Sequence, residues 1–142
     1  MVKIHKNVYD AMERAFTSRA PECGGVLGAI PGEAISEFYF DISGLCTEES
    51  YTPDHIRINE ILENDWGKRS VQIVGIVHSH GNAGDFPSCG DLYYCEQIMK
   101  SAYIGEFMLP IVTVEPMKVH WYTVFYNGEK IFVKKDDFTV ID

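Results

Sequence analysis

Val74-Gly75-Ile76-Val77-His78-Ser79-His80 is an apolar run that ends on two histidines, and Ser88 and Asp91 follow it. The run reads as a buried strand. Successive strand side chains point to opposite faces, so His78 and His80 share one face and Ser79 takes the other. At about 3.3 Å of rise per residue, their Cα atoms lie roughly 6.6 Å apart. Two imidazoles at that spacing can lean onto one ion with Zn–N bonds of about 2.0–2.1 Å. A pair of this kind also occurs on ordinary strands, so the residues after it carry the argument. Asp91, eleven positions beyond His80, offers a hard oxygen ligand. Two histidines and a carboxylate leave one position of a tetrahedral Zn²⁺ open, which is the arrangement of a catalytic site. Cys89 and Cys95 are alternative soft ligands.

Ser88-x-x-Asp91 also has the form of a capping box, with Ser88 as N-cap and Asp91 at the third helical position. Leu92, Cys95, Ile98, Met99 and Ala102 then fall on one face of a helix over 90–104. The two readings are compatible, because a helix start is a rigid place from which to aim a carboxylate. Far upstream, Glu22 precedes Cys23-Gly24-Gly25-Val26-Leu27-Gly28. It is either a solvated loop residue or a general base for a hydrolytic water. The adjacent glycines suggest a close backbone approach.

The rest of the chain reads as mixed helix and sheet. Val8, Met12, Ala15 and Phe16 make a first amphipathic helix. Strands are predicted near Gly25–Ile30 and Ala34–Asp41, joined across Pro31-Gly32. A loop from Ser43 to Tyr51 leads to Thr52-Pro53, read as N-cap and first-turn proline of a helix that ends near Trp66. Ile58, Ile61, Leu62 and Trp66 form its inner face. Further strands are predicted near Phe107–Val114, Lys118–Tyr126 and Lys130–Lys134, the last two joined by the hairpin turn Asn127-Gly128. The expectation is one α/β domain over residues 1–142, a mixed sheet flanked by helices, with the site at a strand end.

Composition agrees. A chain of 142 residues buries roughly 68–70% of its unfolded surface, and 46% hydrophobic residues argue against disorder. The run Met1-Val2-Lys3-Ile4-His5-Lys6 lacks the apolar core of a signal peptide, and no run is long enough to span a membrane. Cys23, Cys46, Cys89 and Cys95 show no zinc-finger pairing and read as reduced thiols in a cytoplasm. A net charge of −9, from 12 basic and 21 acidic residues, speaks against a nucleic-acid partner. His5, His55 and His120 read as ordinary surface or strand histidines, and the tyrosines as core and groove walls.

Glu22, then His78-x-His80, seven intervening residues, Ser88 and Asp91, resembles the JAMM motif of the MPN-plus metallopeptidases. The resemblance spans Val8 to about Tyr126. One departure is Gly81, where many members have proline; it could loosen the loop from Gly81 to Pro87. The resemblance implies a sheet flanked by helices of the kind shared with cytidine deaminases. It implies Zn²⁺ held by His78, His80 and Asp91, Glu22 as the base, and Ser88 donating a hydrogen bond to the oxyanion. It further implies cleavage of an amide or isopeptide bond after the C-terminal Gly-Gly of a ubiquitin-like or sulfur-carrier protein. The segment from Ile42 to Arg69 corresponds to the one that grips the partner protein in this family. A zinc deaminase would show His-x-Glu and Pro-Cys-x-x-Cys; here the text is His-Ser-His and Pro87-Ser88-Cys89. Two other classes remain open: a non-catalytic binding or scaffold module, and a metal-dependent amidase or peptidase acting on another peptide.

Overall fold

The computed structural model describes residues 1–18, 21–81 and 84–142. The chain opens with strand β1 (Val2–His5) and helix α1 (Lys6–Ala15). Next come β2 (Gly24–Ala29), β3 (Glu37–Phe40), and a small hairpin of β4 (Leu45–Cys46) and β5 (Tyr51–Thr52). Helix α2 (His55–Ile61) continues through a π turn (Leu62–Trp66) and a 3-10 turn (Gly67–Arg69) into β6 (Gln72–Ser79). Helix α3 (Cys89–Ala102) then crosses to β7 (Glu106–Met108) and β8 (Ile111–Thr113). The chain ends with β9 (Lys118–His120), β10 (Tyr122–Tyr126), β11 (Ile131–Lys135) and β12 (Phe138–Ile141).

Among the described residues the main sheet has the order β11-β10-β7-β6-β2-β3, with β8 also on β6 and β9 on β8. Strand β6 is its centre. It is antiparallel to β2 and parallel to β7 and β8, and α3 is the crossover that parallel pairing requires. The strands alternate cleanly. Val26, Ile76, Ile111 and Tyr122 face one core, under α2 and α3; Leu27, Val77, Val112 and Trp121 face the other, under α1. Helix α1 seats Val8 and Met12, with Phe16 beyond its end, in that second core. Helix α3 seats Cys95 and Met99 in the first, with Leu92 and Ile98 partly buried against it; Ala102, expected on that inner face, is exposed at the helix end. The result is a single α/β domain: a mixed sheet covered by helices on both faces.

Several expected elements differ. The strand predicted over 107–114 breaks at Leu109-Pro110, because proline has no N–H for the ladder. The partner strand also breaks, at Trp121 between β9 and β10, and the Leu109 N–H donates to the Tyr122 carbonyl across the break at 2.8 Å. The strand predicted over 34–41 pairs regularly only over Glu37–Phe40. The segment read as a loop from Ser43 to Tyr51 forms the β4–β5 hairpin. Thr52 therefore belongs to a strand and is not the N-cap. That role falls to Asp54, whose carboxylate accepts from the Arg57 N–H at 3.2 Å. β1 and β12, not expected from the sequence, pair in parallel from opposite ends of the chain. The fold needs glycine where its layers touch. A Cβ on Gly28 would lie 2.6 Å from the buried Trp66 ring, and one on Gly25 would lie 2.1 Å from the Tyr39 carbonyl oxygen.

A backbone atom cannot yield as a side chain can. Gly25→Ala is therefore expected to split the β2–β3 ladder and lower stability by about 1–3 kcal/mol. Urea unfolding of the variant against the parent checks this; an unchanged midpoint would refute it.

Candidate metal site

The even-numbered face of β6 runs from the apolar core into a polar cluster. Ile76 is core, His78 follows on the same face, and His80 lies one residue past the strand end. The His80 N–H still donates to the Val112 carbonyl at 2.9 Å, so the extended conformation persists and the two imidazoles meet, with ring centroids 4.8 Å apart. Ser79 points to the other face as expected. Its Oγ accepts from the Cys23 N–H at 3.0 Å, which ties the glutamate-bearing segment to β6. Strand pairing of Gly24 with His78 then sets Glu22 beside the histidines.

All four candidate side chains converge, together with Ser88. His78 Nε2 lies 3.0 Å from His80 Nε2. Asp91 spans both: Oδ1 is 3.0 Å from His78 Nε2 and Oδ2 is 3.0 Å from His80 Nε2. Glu22, His78 and His80 each offer a ligand atom within 4.8 Å of the others, and all three are buried. Glu22 is only 3% exposed, so it is not the solvated loop residue that its local sequence also allowed. The Gly81 N–H donates to its Oε2 at 3.3 Å. Ser88 stands at the rim as the N-cap of α3, its Oγ accepting from the Asp91 N–H at 3.1 Å, while the Ser88 N–H donates to Asp91 Oδ2 at 2.8 Å. The capping box is thus present, and the carboxylate that completes it also faces the imidazoles. The thiols weighed as alternatives do not join them: Cys89 is exposed, and Cys95 is buried with its Sγ toward Met99.

The hydrogen bonding tests whether a cation fits. His80 Nδ1 lies 3.1 Å from the Gly84 carbonyl, which can only accept. Nδ1 must therefore carry a hydrogen, and in the neutral ring Nε2 presents a lone pair. That lone pair points at a carboxylate oxygen and at a second imidazole nitrogen, both 3.0 Å away. Such a contact is repulsive unless positive charge sits between the atoms. A proton can bridge one pair of them, whereas a single ion satisfies all three. Bonds of about 2.0–2.1 Å in a tetrahedron put ligand atoms roughly 3.3 Å apart, close to the spacing seen. Burial pushes the Asp91 carboxyl up, but the adjacent His78 and His80 rings overcome this and hold it well below the usual range. It is therefore an anion, as a metal ligand must be. Burial lowers His80, and Asp91 more than offsets that, so its net shift is upward.

The β4–β5 hairpin roofs the cluster. Tyr51 stacks on His78 with ring centroids 6.3 Å apart, and a Cβ on Gly24 would strike it at 2.5 Å. The Tyr51 hydroxyl donates to Asp41 Oδ2 at 2.7 Å, and the Asp54 N–H donates to the same oxygen at 2.9 Å. Burial, then the bond to Asp41, pushes the Tyr51 hydroxyl far up, so it remains a donor. Sequence reasoning treated Tyr51 only as one of several wall tyrosines and missed Asp41, which no local pattern marks. Strand and hairpin enclose a cavity of about 240 Å³. Tyr51 and Tyr94 are walls of it, as expected for the tyrosines. His120 is a strand histidine, with Nε2 3.0 Å from Thr113 Oγ1. Part of the loop questioned because of Gly81 lies outside the described residues. Among the described residues, no helix is long and apolar enough to cross a membrane.

Ser88→Ala removes the cap acceptor and is expected to cost about 1 kcal/mol of stability. Thermal unfolding of the variant reads this, and no loss would mean that the box contributes nothing to α3.

Comparison with known proteins agrees with this geometry. No curated protein matches the chain. A solved structure, the protein DSY2949 from Desulfitobacterium hafniense, is similar in fold, with a TM-score of 0.71 at 18% identity over 100% of this chain and 94% of that one. The model of the family described as prokaryotic homologs of the JAB domain matches residues 5–124. With that match over most of its length, and a buried Glu22, His78 and His80 cluster suited to a metal ion, the chain belongs to the prokaryotic JAB-domain family.

Proposed function

We propose that this protein is a zinc-dependent hydrolase of an amide bond, cutting after the C-terminal Gly-Gly of a ubiquitin-like or sulfur-carrier protein. The observation that carries the hydrolytic reading is the cluster itself: His78, His80 and Asp91 are mutually 3.0 Å apart, with buried Glu22 beside them. Imidazole and carboxylate donors suit zinc, and three protein ligands leave a position open for chemistry. In this assignment His78, His80 and Asp91 hold the ion. Glu22 is kept as the base, because the Gly81 N–H orients its carboxylate while Asp91 already touches both imidazoles.

A bound zinc supplies Lewis acidity, bringing the pKa of water toward about 7 and polarising a carbonyl. Glu22 takes the proton of the attacking water as its oxygen bonds to the amide carbon. Ser88 donates its O–H to the oxygen that becomes negative, its lone pair being occupied by the Asp91 N–H. The C–N bond then breaks, and Glu22 passes the proton to the departing amine. The Gly-Gly preference is supported by the roof: the Tyr51 ring over His78 and Gly24 leaves a low passage that a glycine tail threads and a bulky residue jams. The free cysteines suit a reducing cytoplasm.

Elemental analysis after remetallation is expected to give about one zinc per chain. Glu22→Gln is expected to keep the metal and lose hydrolysis of a Gly-Gly fusion by at least about a hundredfold. His80→Ala is expected to lose both. A folded protein that takes up no zinc would defeat the hydrolase reading, and full activity in Glu22→Gln would defeat the role given to that residue.

A second prediction concerns the tail. Replacing the terminal glycines of the fusion by valine or phenylalanine should abolish cleavage. Equal turnover of glycine and bulky tails would instead favour a general metallopeptidase.

A further inference from the structure

The cavity does not end at the polar cluster. Beneath His78 and Asp91 it continues to a floor of Ile76, Cys95, Phe107 and Leu109, with the Tyr94 ring at its side. The floor residues are between 1% and 7% exposed. They come from β6, α3, β7 and the break after it, so the floor is the core of the domain left unfilled. Burial first, then the Asp91 charge, pushes the Cys95 thiol up to about 12, as expected of a dry environment. The whole cavity, polar cluster included, measures about 240 Å³. An apolar cavity of about 150 Å³ is large enough to hold benzene. This larger cavity is shared between the polar cluster and an apolar floor, and the floor is the part open to an apolar side chain.

A tail of two glycines has no side chain to put there. Left vacant, an apolar floor next to a hydrolytic site forfeits contacts and gains nothing. We infer that the cavity is a specificity pocket for an aliphatic or aromatic side chain on the residue that leaves as the amine. The inference rests on the amide-hydrolase reading and adds the second half of the substrate. Glu22, Glu49 and Asp91 also line the cavity, so an acidic side chain in the same place is disfavoured.

The test uses the zinc-loaded full chain and fusions ending Gly-Gly-X, with X as phenylalanine, leucine, glycine or aspartate. Phenylalanine and leucine are expected to give kcat/KM about tenfold or more above glycine and aspartate. Calorimetry with the bare amine products supplies a readout that needs no turnover: phenylalaninamide should bind about tenfold more tightly than glycinamide. Cys95→Met and Leu109→Phe each fill the floor. Either folded variant should lose the preference in both assays, and the pair guards against one of them failing to fold. Equal kcat/KM for all four fusions, with equal binding of the two amides, overturns the pocket and leaves the Gly-Gly reading standing. A preference that follows the acyl-side residue also overturns it. If no Gly-Gly fusion is cut, the Gly-Gly reading fails, and the calorimetry alone decides the pocket: selective binding abolished in the filled variants upholds it, and unselective binding removes it.

Discussion

A carboxylate cannot lie against an imidazole lone pair in a buried site without positive charge between them. Asp91, His78 and His80 meet at 3.0 Å under that constraint, and the Gly84 carbonyl removes the easiest escape by fixing the His80 tautomer. Isolated charges are costly to bury and are normally paired or metal-bound. Much of the surrounding architecture can be read as the means of holding these atoms in a contact they would otherwise relax.

Each holding element is a feature that also has an ordinary structural purpose. The period-two alternation of β6 builds two cores, and the same alternation delivers His78 and His80 together while Ser79 anchors Cys23 behind them. The capping box starts α3, and its carboxylate reaches the histidines without giving up the Ser88 N–H. The crossover between parallel strands brings that helix start to the end of β6, where the apolar run stops. The geometry of the site needs few residues beyond those that the fold already places.

This double use explains what was legible in the sequence. Alternation and capping are local rules, so β6, the shared histidine face and the Ser88-x-x-Asp91 start of α3 could be read directly. The helices followed for the same reason, with Met12, Ile58 and Met99 buried as their spacing implies. Glu22 was legible only through resemblance, since its burial depends on a roof contributed by residues more than twenty positions away: its N–H donates to the Thr47 carbonyl at 2.7 Å. Non-local pairing also hid β1 and β12, which join the two ends of the chain. The N-cap of α2 was misplaced by two residues because strand pairing claimed Thr52 first. Asp41 could not be found at all; its importance lies in two donors, the Tyr51 hydroxyl and the Asp54 N–H, that the fold brings to one oxygen.

Gly81 gains a meaning from the same network. Where many members of the family have proline, this chain has a residue with an N–H, and that N–H reaches Glu22 Oε2 at 3.3 Å. Proline has no hydrogen to offer there. The departure that seemed only to loosen a loop thus gives the buried glutamate a donor. A directional donor limits which oxygen can swing toward the histidines. On the opposite side, the Asp41 carboxylate fixes Tyr51 over His78, and its own Oδ1 is buried with no hydrogen-bond partner among the described residues. One side of the cavity is therefore tied to the end of β3 through the Asp41 carboxylate, and the other to the loop after His80 through a backbone donor. Between them lies the low passage, and under it the apolar floor. The roof above and the floor below come from different elements, so the two ends of the cavity are shaped independently around one cluster of ligand atoms.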